Sequence, residues 1–192
     1  MMQKRLTKII FGVLVIAGGL SSCGSSSEVL GNISQPLQMK PMPAPYDQAS
    51  PSTVAQGSSS SSAFAAMEQS VHQQVNQYRK SKNLPPLTFD ATIAQQSRNH
   101  SEAMAKGQVP FSHNGFDSRV QAIAKSIPYR SAAENVAYNM GYSKPDAQAV
   151  EGWIKSTGHR RNMEGDFNLT GIGISKNAKG EYYFTQIFIK RR

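Results

Sequence analysis

Two histidines and one glutamate carry the chemistry this chain could do. His113 lies in Ser112-His113-Asn114-Gly115-Phe116-Asp117-Ser118-Arg119, Glu134 in Ala133-Glu134-Asn135-Val136-Ala137, and His159 in Ser156-Thr157-Gly158-His159-Arg160-Arg161-Asn162, just after Trp153. All three stand in turn-rich sequence outside the apolar-periodic runs, where ionisable groups can converge on a cleft. Two imidazoles and a carboxylate can form an open zinc site of the catalytic kind. The helical His-Glu-x-x-His arrangement that would specify one is absent. Ser156 and His159 lack the Gly-x-Ser-x-Gly elbow of a serine hydrolase, no thiol is placed to act as a nucleophile, and no glycine loop could cradle phosphate. Glu134 sits among small residues in a stretch that reads as partly buried. An isolated ionised carboxylate is costly to bury, so it needs His113, His159 or Arg119 as a partner. A structural ion pair and a functional one both remain open, as does a helix-dipole role for His159. His100, mid-helix, reads as structural, and His72 has no supporting neighbours.

The elements that must position these groups follow from periodicity. Met67, Val71, Val75 and Tyr78 mark one face of a first helix, stopped by Pro85-Pro86. Asp90 is placed to cap a second helix with Ile93, Ala94, Ser97 and Met104 inside and Gly107 at its end. Asp117 is placed to cap a short third helix holding Val120 and Ile123. Ser143 with Asp146 resembles a capping box for a fourth helix, with Pro145 in its first turn and Val150, Trp153 and Ile154 on its buried stripe. The period then changes to alternation. Ile172 and Ile174 share one strand face, and Asn177-Ala178-Lys179-Gly180 supplies turn chemistry. In the last strand Tyr183, Thr185, Ile187 and Ile189 face one way, and Tyr182, Phe184 and Phe188 the other. A strand apolar on both faces is covered on both sides. The expected class is α+β, a three-layer α-β-α sandwich.

Upstream of this domain the composition changes. Lys4, Arg5 and Lys8, the 12-residue apolar run Ile9 to Leu20 and Ser21-Ser22 have the layout of a secretory signal over residues 1–22. The run falls short of the roughly 20 residues a membrane-spanning helix needs. Leu20-Ser21-Ser22-Cys23 resembles a bacterial lipobox. Cys23 is the only cysteine of the chain, so it is expected to be lipidated and to tether the protein to a membrane. Residues 23–66 form the lipidated N-terminus and a tether expected to be disordered. Between 24 and 66 there are eleven Ser, five Pro and three Gly, including the run Ser58 to Ser62, but only three charged residues. Residues 67–192 are left as one domain. Beyond residue 23 the chain carries 18 basic against 12 acidic residues, a formal charge of +6. In an exported, envelope-bound lipoprotein that surplus either favours anionic lipid, a cell-envelope polymer or a protein ligand over nucleic acid, or serves solubility alone.

From about Met67 to Phe188 the chain resembles the CAP superfamily of cysteine-rich secretory, antigen 5 and pathogenesis-related proteins, most of all its bacterial SCP-like branch. The resemblance rests on Asn76, Arg79, Leu84, Pro86-Leu87, Ser112-His113-x-Gly115 with Arg119, Ala133-Glu134-Asn135, Trp153, Ser156-x-Gly158-His159-Arg160-x-Asn162, Gly171-Ile172-Gly173 and Thr185-Gln186. It implies an α-β-α sandwich whose cleft in many members carries two histidines and two glutamates and in some binds zinc. His113 matches the first histidine and Glu134 the first glutamate. Tyr183 stands where the other histidine is expected, and Ser156 where the other glutamate is. His159 is a candidate replacement, so the expected site is His113, Glu134 and His159, with His113 and His159 as metal ligands. Arg119, Asn135, Ser156, Tyr183 and Gln186 are expected to support the cleft. The resemblance leaves three functions open: a recognition module, a metal-dependent hydrolase and a lipid binder.

Overall fold

The computed structural model describes the chain from residue 55, with side chains from residue 63. The signal, Cys23 and most of the tether lie outside the described residues. In chain order the elements are α1 (Ala55–Ser81), β1 (Thr88–Phe89), α2 (Ala91–Ala105), α3 (Phe116–Ala124), β2 (Tyr129–Asn139), α4 (Pro145–Lys155), α5 (Thr157–Glu164), β3 (Leu169–Lys176) and β4 (Tyr182–Arg191). Helix α1 begins at Ala55, so it takes in the serine run that the composition assigned to the tether. Once a turn is nucleated downstream, alanine and serine extend a helix at little cost.

The four strands run in the order β1-β3-β4-β2, with β3 and β4 antiparallel at the centre and β2 antiparallel to β4. The alternation read in β4 is the reason for three layers. Phe184 and Phe188 join Ile172, Ile174, Val71, Val75, Val150, Trp153 and Met163 in one core, under α1, α4 and α5. Ile187 and Ile189 join Ile93, Val120 and Ile123 in the other, under α2 and α3. The chain thus adopts the α-β-α sandwich.

Two glycines let α2 lie directly on the sheet. A Cβ on Gly171 would sit 2.1 Å from the amide nitrogen of Ala94, and one on Gly173 2.0 Å from that of Arg98. The resulting contact is tied by Ser97 Oγ donating to Gly171 O (3.0 Å) and Ser101 Oγ to Gly173 O (2.9 Å).

Asp90 caps α2 as expected, accepting from the amide of Ile93 at 3.0 Å. Asp90→Ala should lower stability by about 1 kcal/mol, seen as an earlier urea midpoint with an unchanged slope. The other two caps differ from the sequence reading. Gly115 caps α3 in a left-handed conformation (φ 77°), which places Asp117 inside the first turn. Lys144, not Ser143, caps α4, without a side-chain hydrogen bond, and Pro145 starts the helix.

Two elements carry no strong sequence signal. Strand β2 is built largely from residues of low strand propensity and forms because it pairs with β4 along its length. Helix α5 has a polar sequence whose buried side is His159, Asn162 and Met163, so no apolar stripe betrays it. A break at Ser156 (φ −87°, ψ 121°) separates it from α4. Glu134 therefore lies on a strand and His159 within a helix, while His113 lies on a loop as expected.

Candidate functional site

Glu134 points from β2 toward the α2–α3 layer and is the hub of the site. Its side chain is 2 % exposed. Arg119 Nη2 donates to both carboxylate oxygens, at 2.8 and 2.7 Å, and Arg119 Nε to Oε2 at 2.9 Å. His113 Nδ1 lies 2.9 Å from Oε1. A carboxylate can only accept, so Nδ1 carries the hydrogen and, in the neutral ring, Nε2 carries the lone pair. Arg119 also donates to Asn114 O (2.8 Å) and meets His100 Nδ1 (3.2 Å). Guanidinium has no lone pair to offer, so His100 Nδ1 accepts and its Nε2–H donates to Ser112 O (2.8 Å). Burial first, and the adjacent Arg119 second, push the His100 pKa below its usual value. His100 is structural, as expected of a mid-helix histidine, yet it is also the clamp on the loop that presents His113. His72 does have partners, since its Nε2 donates to Leu87 O at 2.8 Å.

A cleft of about 680 Å³ opens beside this network. The loop from Phe111 to Gly115 and the start of α3 form one wall, Ser131 to Glu134 of β2 another, and Arg161, Asn162, Gly165 and Phe167 the third. Its volume lies within the usual range for small-ligand sites. Of the expected site, His113 and Glu134 line the cleft and Arg119 holds Glu134 from behind.

His159 is not in the lining. Its ring is buried, and its Nε2 has no hydrogen-bond partner among the described residues. Burial first and the nearby His113 second depress its pKa from 6.5 to about 4. Asn135 supports from below, donating to His159 O (3.1 Å) and accepting from Asn162 (2.9 Å). Three other supporting residues lie elsewhere. Gln186 faces the opposite side of the sheet from Glu134 and donates to Thr170 (3.1 Å). Ser156 is the break between α4 and α5. Tyr183 is four residues along β4 from Ile187, the partner of Glu134, which is about 13 Å at strand rise. There it joins Tyr138 in donating to Glu181.

The donor set does not fit a zinc ion. Glu134 is fully engaged by Arg119 and His113, His159 is sealed away, and the cleft offers one free imidazole nitrogen where a catalytic zinc takes three protein ligands. Among the described residues no group of three or more His, Cys, Asp and Glu is arranged to hold a metal.

The depressed pKa of His159 gives acid sensitivity a definite sign. Unfolded, this ring takes its proton near pH 6.5; folded, only near 4. Between those values the unfolded state binds more protons, so stability is complete above about pH 6.5 and falls as pH drops toward 4. The gap corresponds to about 3 kcal/mol, with His100 acting in the same direction. Urea unfolding at pH 7.5 and 4.5 should show this loss, and His159→Leu should reduce it.

Phe116 and Phe167 flank the cleft, a role that no motif or spacing in the sequence signals. Asn162 stands in the motif around His159, and its role emerges only from the packed strand. Asn162 Nδ2 donates to Glu134 O at 3.1 Å, and Trp153 Nε1 to Val136 O at 3.1 Å, so both side chains pin the outer edge of β2. Arg79 is buried and donates to Pro85 O, Met163 O and Gly165 O, fixing the segment beyond α5.

The fold and this network together define a CAP-type sandwich, and comparison with known proteins agrees. The cysteine-rich secretory protein family model matches residues 72–188. The chain belongs to this family. It is 34% identical over 120 residues to the uncharacterized membrane protein YlbC of Bacillus subtilis, covering 60% of this chain and 32% of that one. The chain thus spans about a third of the length of that relative. An extracellular protein containing a SCP domain from Bacillus anthracis superposes with a TM-score of 0.58 at 26% identity, over 74% of this chain and 45% of that one. An outer surface protein of Borrelia burgdorferi gives 0.58 at 19% identity, over 66% and 94%.

Proposed function

We propose that this chain is an exported CAP-domain lipoprotein, held to a cell-envelope membrane through Cys23, that recognises a ligand in the His113–Glu134 cleft. The observation that carries the reading is the state of Glu134. Both of its oxygens are committed to Arg119 and His113 in a buried network. That suits a rigid frame for a binding cleft better than a group exchanging protons with a substrate. The relatives named above are described as extracellular, outer-surface and membrane proteins, which supports the location. No helix among the described residues is long and apolar enough to cross a membrane, and a lipid on Cys23 would supply the attachment.

Two experiments test this. Fractionation should find the wild type with membranes and Cys23→Ala in the soluble exported fraction; equal partitioning would refute the anchor. Purified protein should be titrated with envelope glycan fragments, anionic lipid vesicles and envelope-derived peptides, with hydrogen exchange followed at residues 111–118 and 131–134. Saturable protection there, without turnover of the probe, is the expected result. Cleavage of a probe that a chelator stops and Zn²⁺ restores would favour the hydrolase instead.

A further inference from the structure

A sheet edge is a row of unpaired backbone donors and acceptors, and folded proteins cover it. This one covers part of it with loop amides and side chains. On the β3 side, Thr88 N donates to Asn168 O, Asp90 N to Thr170 O, and Ile174 N to Glu68 Oε1. On the β2 side, the register beyond the shift between Tyr129 and Ser131 turns every second residue away from β4. Glu134 and Val136 are two of these, and their carbonyls are taken by Asn162 and Trp153. The preceding outward residue is Ala132. Among the described residues nothing takes its N–H or C=O, or the N–H of Glu134. This open stretch is also the β2 wall of the cleft, Ser131 to Glu134, which sets it apart from other open positions on the edge.

We propose that the cleft takes an extended peptide from a partner protein by adding it as a fifth strand along Ser131–Glu134 of β2. This rests on the reading of the cleft as a recognition site and names the class of ligand. The free groups are amide N–H and C=O at ladder spacing, and a peptide backbone is the chemistry that matches them. Four residues of strand span about 13 Å, and the cleft volume accommodates a segment of that length. The small side chains of Ser131, Ala132 and Ala133 let another backbone come close, while Phe116 and Phe167 flank the track for alternate apolar side chains. Charge favours an acidic residue in the peptide. Glu134 is neutralised by Arg119, Asp117 already has a partner, and Arg161 presents an exposed guanidinium on the cleft wall.

The test uses the full chain in detergent and random octapeptides displayed on phage, with recovered sequences resynthesised as free peptides. Recovered peptides should slow hydrogen exchange at Ala132 and Glu134. Ala132→Pro removes the outward N–H at an edge position where proline is tolerated, and should weaken binding about tenfold or more, the equivalent of one or two hydrogen bonds. Methylating alternate amide nitrogens of the peptide should do the same, and carries the test from the ligand side if the proline variant unfolds. Peptides that bind Ala132→Pro and the wild type equally, with no protection at those amides, would overturn strand addition while leaving recognition by the cleft intact. Recovery of no binding peptide would overturn the peptide assignment, and the glycan and vesicle titrations would then decide recognition separately.

Discussion

Glu134→Ala is expected to lower the unfolding free energy by about 3–5 kcal/mol, the range for breaking a buried ion pair from one side. The loss comes less from the missing carboxylate than from what it leaves behind. Arg119, 10 % exposed at its side chain, would keep its charge without the carboxylate that holds it. Its remaining hydrogen bonds are to Asn114 O and His100 Nδ1. Glu134→Gln, which keeps acceptor oxygen but not charge, should fall between the variant and the wild type. Replacing Arg119 and Glu134 together with apolar residues of similar volume should cost less than Glu134→Ala alone. Urea unfolding of the four proteins makes the comparison. A Glu134→Ala effect below about 1 kcal/mol would mean that water reaches the pair and that the surface value applies.

Gly173→Ala is expected to cost at least about 3 kcal/mol, the upper part of the range for overpacking. The new methyl would meet main chain rather than a flexible side chain: Arg98 N at 2.0 Å and Ser97 C at 2.2 Å. Helix α2 would have to lift, loosening the bonds of Ser97 and Ser101 to the strand beneath. Because α2 also carries His100, the loop of His113 should loosen too. For a domain of this size the melting temperature should fall by about 10 °C or more. Gly180→Ala is the control: it lies in the hairpin turn with only Lys176 Cε at 4.0 Å, and its cost arises from φ of 88° alone. Equal losses at both positions would sink the close-approach argument.

These two residues mark what can be read in the sequence and what cannot. Gly171-Ile172-Gly173 is visible as a motif, and the two-sided alternation of Tyr182 to Ile189 requires three layers. His113 on a turn, and Glu134 in need of a cation, follow from residue type and local context. The identity of the cation does not, because Arg119 reaches Glu134 through an Asn114-Gly115 turn and a helix whose start depends on a left-handed glycine. The third partner, His100, stands on an element that meets the others only through the sheet. His159 illustrates the opposite difficulty. Its residue type suggests a ligand, but the polar α5 buries it, and only the packed structure reveals that the ring is sealed off. Tyr183, Ser156 and Gln186 are placed by analogy of position; distance along β4 separates Tyr183 from Glu134, the opposite sheet face separates Gln186, and Ser156 lies at the break between α4 and α5.

The strand order has a consequence for how the chain must be made. The central strands, β3 and β4, come after the other two in sequence, and β1 and β2 pair only with them. No sheet pairing is possible until β3 begins to emerge at Leu169, and β2 has no partner until β4 follows. The loop of His113, Arg119 and Glu134 are all synthesised earlier and have nothing to assemble on. A nascent chain therefore holds no folded sheet until β3 has been made, and everything before it waits unpaired. Only after the last hairpin arrives can the cleft close around its buried glutamate.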